Sequence, residues 1–179
     1  MRYLFGLSIL ALSACVTPGS DPSAVGVLQP TIGNSVTGPV TFKQLGDSVL
    51  VTGTISGLKP NQEHGFHVHE RGDCSGGDGM GSGGHFNPDV RAHGAHGQGS
   101  HHAGDLPSLK ADASGKAEVN FISKTISVAS GVNQIVGRGL IVHRDPDDFK
   151  TQPTGNSGPR LACAVIKSNT LGMVAASSR

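Results

Sequence analysis

The feature that most constrains this chain is the crowding of eight of its nine histidines into the stretch from His64 to His102. Two of them, His67 and His69, stand two apart in an apolar, β-prone run. Side chains along a strand alternate between faces, so both rings project to one side while Val68 points to the other. A pair of imidazoles held side by side on stiff backbone is half of a metal site. From Glu70 to Asp105 the strand pattern stops for about 35 residues, and glycine and histidine take over. A loop that long inside a compact domain needs something to order it. Metal coordination and a disulfide are the two means this sequence offers.

Around that stretch the sequence reads as all-β. Aromatic residues make up 4% of the chain and tryptophan is absent, so the core rests on Val, Ile, Leu and Ala, which suits short strands. Strand-like runs occupy 25–28, 36–42, 48–56 and 64–69, then 116–122, 132–136, 139–143 and 161–166. Turn residues such as Gly46-Asp47 separate them. No dozen residues carry a helical period. The expectation is one domain, a sandwich or flattened barrel, with a second irregular stretch at 144–159 and a polar tail from 167 that is partly frayed.

The first residues have one basic side chain, then an apolar run, then small residues before Cys15, the layout of an export signal. Leu12-Ser13-Ala14-Cys15 also resembles a bacterial lipobox, in which the cysteine becomes the lipidated first residue. An ordinary export signal with Cys15 near the cut is the other reading. The lipobox reading divides the chain into a leader at 1–14, a lipidated tether at 15–24, a domain at 25–167 and a tail at 168–179. Val16 after Cys15 leans toward the outer membrane by analogy with lipoprotein sorting; a soluble periplasmic protein is the alternative. With Cys15 acylated, Cys74 and Cys163 remain, and two thiols in an oxidising compartment pair. They are 89 positions apart, so a bridge would contribute roughly 3–5 kcal/mol in the loop-entropy picture. The formal charge of +1, with no polybasic run, argues against a nucleic-acid partner.

Several motifs together resemble those of the copper/zinc superoxide dismutases, in particular the exported bacterial branch. They are Gly65-Phe66-His67-Val68-His69 with Gly72-Asp73, Gly84-His85-Phe86-Asn87-Pro88, His101-His102-Ala103-Gly104-Asp105, His143 with Asp147 and Asp148, and the run from Gly155 to Cys163. The resemblance implies a Greek-key, immunoglobulin-like sandwich of about eight antiparallel strands with two long functional loops. It implies one copper ion on His67, His69, His85 and His143, and one zinc ion on His85, His93, His102 and Asp105, with His85 shared. Imidazole nitrogens suit copper, and three nitrogens with one carboxylate suit zinc. Asp147 would orient histidines of both metals. Arg160 and His85 would be catalytic, and Cys163 would bridge to Cys74 behind the arginine.

The implied reaction is disproportionation of superoxide to dioxygen and hydrogen peroxide by Cu(II)/Cu(I) cycling, with superoxide as substrate. A non-catalytic envelope lipoprotein that buffers copper and zinc would need the ligands but neither Arg160 nor Asp147. The resemblance leaves a homodimer open, since exported relatives include monomers and dimers. His96 and His101 match no ligand position and are expected to face solvent, as is Asp148. By alternation His64 points away from His67, toward a structural role. The bases that steer superoxide in many eukaryotic relatives have no counterpart between His143 and Arg160; Lys110 and Lys124 are candidates.

Overall fold

Alternation of buried and exposed residues in the first half of the chain builds the scaffold on which the histidines sit. The computed structural model describes residues 21–169; the leader at 1–14, Cys15 and the end of the tail lie outside the described residues. The strands are β1 (Ser23–Pro30), β2 (Gly38–Leu45), β3 (Ser48–Ile55), β4 (Glu63–His64), β5 (Phe66–His69), β6 (Leu109–Lys110), β7 (Ala117–Ser123), β8 (Gly139–His143), β9 (Arg160–Val165) and β10 (Lys167–Ser168). Eight of them form one curled antiparallel sheet in the order β5-β8-β9-β1-β2-β3-β7, with β10 also on β1, while β4 and β6 pair separately. This is the all-β, flattened-barrel arrangement expected.

The core lies inside the curl. Val40 and Phe42 on β2, Val49, Val51 and Ile55 on β3, and Val119 on β7 point inward and are buried. Leu28, Phe66, Val68, Leu140 and Val142 close it from the other half. Burial of such side chains contributes about 1.5–3 kcal/mol each, which lets a domain with few aromatics hold together. Strand β1 joins the halves: Ser23 to Leu28 pair with β2, and Gln29 and Pro30 pair with Cys163 and Ala162 on β9.

Two sequence expectations change. The run 64–69 breaks at Gly65, whose N–H donates to Asp145 O (2.9 Å) and where a Cβ would come within 2.6 Å of Ser157 Oγ. The run 132–136 is not a strand; Ile135 turns into the core through a single parallel bridge between Ser127 and Gln134. At the start of the polar tail Lys167 and Ser168 pair with Val25 and Ala24.

Candidate metal centre

Strand β5 is buried on both faces, and the two faces do different work. Phe66 and Val68 enter the core, whereas His67 and His69, 0% and 1% exposed, face the long loop. That loop pairs back onto β5: Phe86 N–H donates to Val68 O (2.8 Å), Val68 N–H to Gly104 O (2.9 Å) and Glu70 N–H to Gly84 O (3.0 Å). The register sets His85 opposite His69 and Asp105 opposite His67. Strand β8 ends in His143, beside Arg160 at the start of β9. A disulfide between Cys74 and Cys163, with Cα atoms 5.8 Å apart, ties the loop to β9, as expected.

Two clusters result, each with its ligand atoms within 4.8 Å of one another: His67, His69, His85 and His143, and His85, His93, His102 and Asp105. Both match the ligand sets expected from sequence. Their hydrogen bonding tests whether cations fit. His67 directs Nε2–H to Asp147 Oδ2 (2.7 Å), His93 directs Nε2–H to Asp147 Oδ1 (2.9 Å), His69 directs Nδ1–H to Gly83 O (2.9 Å) and His143 directs Nδ1–H to Gly158 O (3.0 Å). In His67, His69 and His143 the other nitrogen then carries a lone pair turned inward, whereas Nδ1 of His93 faces Asp105 Oδ2 at 3.1 Å. Nδ1 of His67 is buried without a hydrogen-bond partner, and Nε2 of His69 and of His143 face each other at 3.4 Å.

His85 differs, because both its nitrogens point inward. Nδ1 lies 2.8 Å from Asp105 Oδ1 in the second cluster, and Nε2 is buried and unpartnered. Inward lone pairs on buried rings are costly unless a cation takes them, so the residues fit a copper and a zinc bridged by His85.

Asp147 holds both clusters in one orientation, as the sequence suggested. Gly155, at φ 65°, packs against its carboxylate and the His93 ring, and a Cβ there would collide with both. Gln152 clamps the His93 main chain, accepting from its N–H (2.9 Å) and donating to its carbonyl (3.0 Å). No sequence signal marks that clamp. His96 and His101 correct an expectation. His101 is 7% exposed and His96 half-buried, with Nδ1–H of each donating to a main-chain carbonyl, His102 O and Asp105 O (2.8 Å each). They stiffen the loop around two zinc ligands. His64, also buried, donates Nδ1–H to His143 O (2.9 Å) and takes the structural role expected. Asp148 is exposed, as expected, and Lys110 is paired with Glu63 (3.1 Å).

The electrostatics separate the clusters. Burial first, then neighbouring histidines, push His69 well below the ordinary value, and burial with His67 pushes His143 down to about 3. Burial also lowers His85, to about 4, and outweighs Asp147 in lowering His67. For His93 burial opposes the charged form, but hydrogen bonds and charge from Asp105 and Asp147 prevail and raise it to about 9. Burial alone would raise both carboxyls; histidine hydrogen bonds instead hold Asp105 and Asp147 well below the usual carboxylate range.

In the metal-free protein His93 is therefore protonated at pH 7, and zinc must displace that proton. Zinc binding at pH 7 is expected to release one proton from this ring, and the affinity should rise about tenfold per pH unit until it levels near pH 9. Because the folded value lies above the unfolded one, the same proton stabilises the metal-free fold below about pH 6.5. That contribution fades as pH climbs through 9. Calorimetric titration with zinc in buffers of different ionisation enthalpy measures the release; none at pH 7 would contradict the assignment.

An antiparallel β scaffold carrying one nitrogen-rich and one mixed nitrogen–carboxylate site, joined by a shared imidazole, defines a copper- and zinc-binding protein. The family model described as copper/zinc superoxide dismutase matches residues 36–166. The chain belongs to the copper/zinc superoxide dismutase family and has the copper and zinc sites of the enzyme intact. It is 38% identical over 172 residues to the superoxide dismutase [Cu-Zn] of Paramecium bursaria Chlorella virus 1, covering 89% of this chain and 90% of that one. It also resembles the crystal structure of the clock protein EA4, with a TM-score of 0.75 and 34% identity over 93% of this chain and 99% of the other.

Proposed function

We propose that this dismutase works in the cell envelope, with Arg160 capturing superoxide and His85 holding a proton for the product. The observation that carries the reading is the placement of His85, with one nitrogen in each cluster. When bound, copper supplies one-electron oxidation and reduction, and zinc supplies fixed charge on the shared ring. The residues do the rest. Arg160 sits at the start of β9 with its guanidinium fixed by Gly79 O, by Ser82 Oγ (2.9 Å) and by Gly83 O (2.7 Å). Gly83 O also fixes His69, so the cation that meets the anion and a copper ligand share one anchor. Arginine presents a permanent charge on a rigid fork, which orients a small diatomic anion.

Two superoxide anions and two protons become one dioxygen and one hydrogen peroxide. His85 Nε2 is the atom placed to hold one of those protons. Burial keeps His67, His69 and His143 neutral, so their lone pairs stay available at envelope pH. Asp147 keeps His67 and His93 from rotating while this happens.

The envelope location rests on the apolar leader, the lipobox-like Leu12-Ser13-Ala14-Cys15 and the disulfide, a bond suited to an oxidising compartment. In this reading Cys15 is acylated, and Val16 directs the protein to the outer membrane. Cells expressing the full chain should incorporate labelled palmitate into it. Cys15→Ser should lose the label and leave the membrane fraction, with dismutase activity per metal-loaded molecule unchanged. Absence of label on the unmodified chain would refute the anchor.

A further inference from the structure

Among the described residues, several basic side chains, including all the arginines but Arg71 and Arg160, are held by a carboxylate or an aromatic ring. Arg144 is paired with Asp145 (2.9 Å), Arg91 with Asp89 (3.4 Å), Lys110 with Glu63 (3.1 Å) and Lys43 with Asp21 (3.8 Å). Arg138 lies over the Phe86 ring at 3.5 Å and donates to Glu70 O (2.9 Å). Arg71 is different. Its main-chain N–H donates to Ser82 O (3.0 Å) and its Nε–H to Gly81 O (3.0 Å), while its terminal nitrogen lies against Gly83. Arg160 grips the same short turn, through Ser82 Oγ and Gly83 O. Two guanidinium groups therefore contact the turn that anchors copper ligand His69.

The rest of this rim is acidic. The Glu70 carboxylate packs against Gly83, the Asp73 carboxylate against Gly81, and Asp78 caps the turn at Met80 N–H (2.8 Å). Without a second cation, an approaching anion would meet three carboxylates and Arg160 alone. From this geometry we infer that Arg71 is a second guiding cation at the copper-side rim, offsetting Glu70 and Asp73 so that superoxide reaches Arg160. The inference rests on the dismutase reading and adds a residue to it. In keeping with this proximity, Arg160 is lowered from its usual value, by burial first, with Arg71 contributing and Asp78 opposing. Because the whole chain is almost neutral, attraction of an anion depends on such local charges.

A merely structural tie through Nε would give the same contacts, so the test separates charge from tie. Wild type, Arg71→Gln, Arg71→Lys and Arg71→Glu are reconstituted with both metals, and kcat/KM is measured by pulse radiolysis across ionic strength, with Arg160→Gln as reference. Arg71→Gln should lose about threefold at low salt and Arg71→Glu about tenfold, both converging on wild type as screening shortens the reach of the charge. Arg71→Lys keeps the charge without the fork and should stay within about twofold of wild type.

Azide affinity for the copper site, read from its optical band, should fall in the same order, with metal content and the electron paramagnetic spectrum unchanged. If Arg71→Lys is as slow as Arg71→Gln, or the salt dependence does not change, Arg71 is only a tie and the inference is overturned. Fully loaded wild type without dismutase activity would instead overturn the reading beneath it, and the azide series would still decide for or against Arg71.

Discussion

Replacing His67 and His69 together by alanine is expected to reduce dismutation to the uncatalysed background while leaving about one zinc per chain. The two rings are adjacent same-face positions of β5 and supply half of the copper set; His85 and His143 alone offer two nitrogens. The zinc set uses neither residue, and His93 keeps its bond to Asp147 (2.9 Å) and its main-chain clamp on Gln152. The strand itself should survive, because the other face of β5 still buries Phe66 and Val68, and the ladder to β8 is main chain. Two vacated ring volumes in a buried layer lower stability by a few kcal/mol, as large-to-small substitutions do. The measurements are metal content, the electron paramagnetic spectrum and pulse radiolysis of the purified variant. Copper retained with full activity would sink the ligand assignment, and joint loss of both metals would show that the clusters cannot be separated.

The site was legible in the sequence because its parts obey short-range rules. Alternation along β5 put His67 and His69 on one face, and the expected strand at 139–143 ended on His143 as it does in the structure. The second cluster needed the resemblance, since nothing local says that His85 and Asp105, 20 positions apart, lie opposite His69 and His67. What stayed hidden depends on contacts between distant segments. His96 and His101 read as polar loop residues, yet the chain folds back so that main-chain carbonyls take their N–H groups and burial follows. Gln152 meets His93 from 59 positions away, and Arg71 meets Arg160 only through the turn between them. The run 132–136 had strand composition, but it meets its neighbours only through the Ser127–Gln134 bridge and spends its apolar character on burying Ile135.

Removing the disulfide with Cys74→Ser and Cys163→Ser together should destabilise the metal-free protein by about 4.6 kcal/mol, the loop-closure value for a bridge spanning 89 positions. For a domain of this size that corresponds to a fall in Tm of about 10–15 °C. The bridge restrains more than the unfolded chain. Cys163 is fixed in β9 between Ile141 and Gln29, three residues after Arg160, and Cys74 opens the segment that carries Gly79, Ser82 and Gly83. Those three residues hold the Arg160 guanidinium, and Gly83 holds His69. Loosening the segment should therefore lower copper affinity and kcat/KM together, while zinc affinity changes less because His93, His102 and Asp105 lie beyond it. The metal-free state is the one to measure, since bound ions add their own stabilisation by mass action and mask the difference. Calorimetry of the metal-free wild type and double variant decides the point, and a Tm within about 3 °C of wild type would mean that the loop is held by its main-chain ladder onto β5 and not by the bridge.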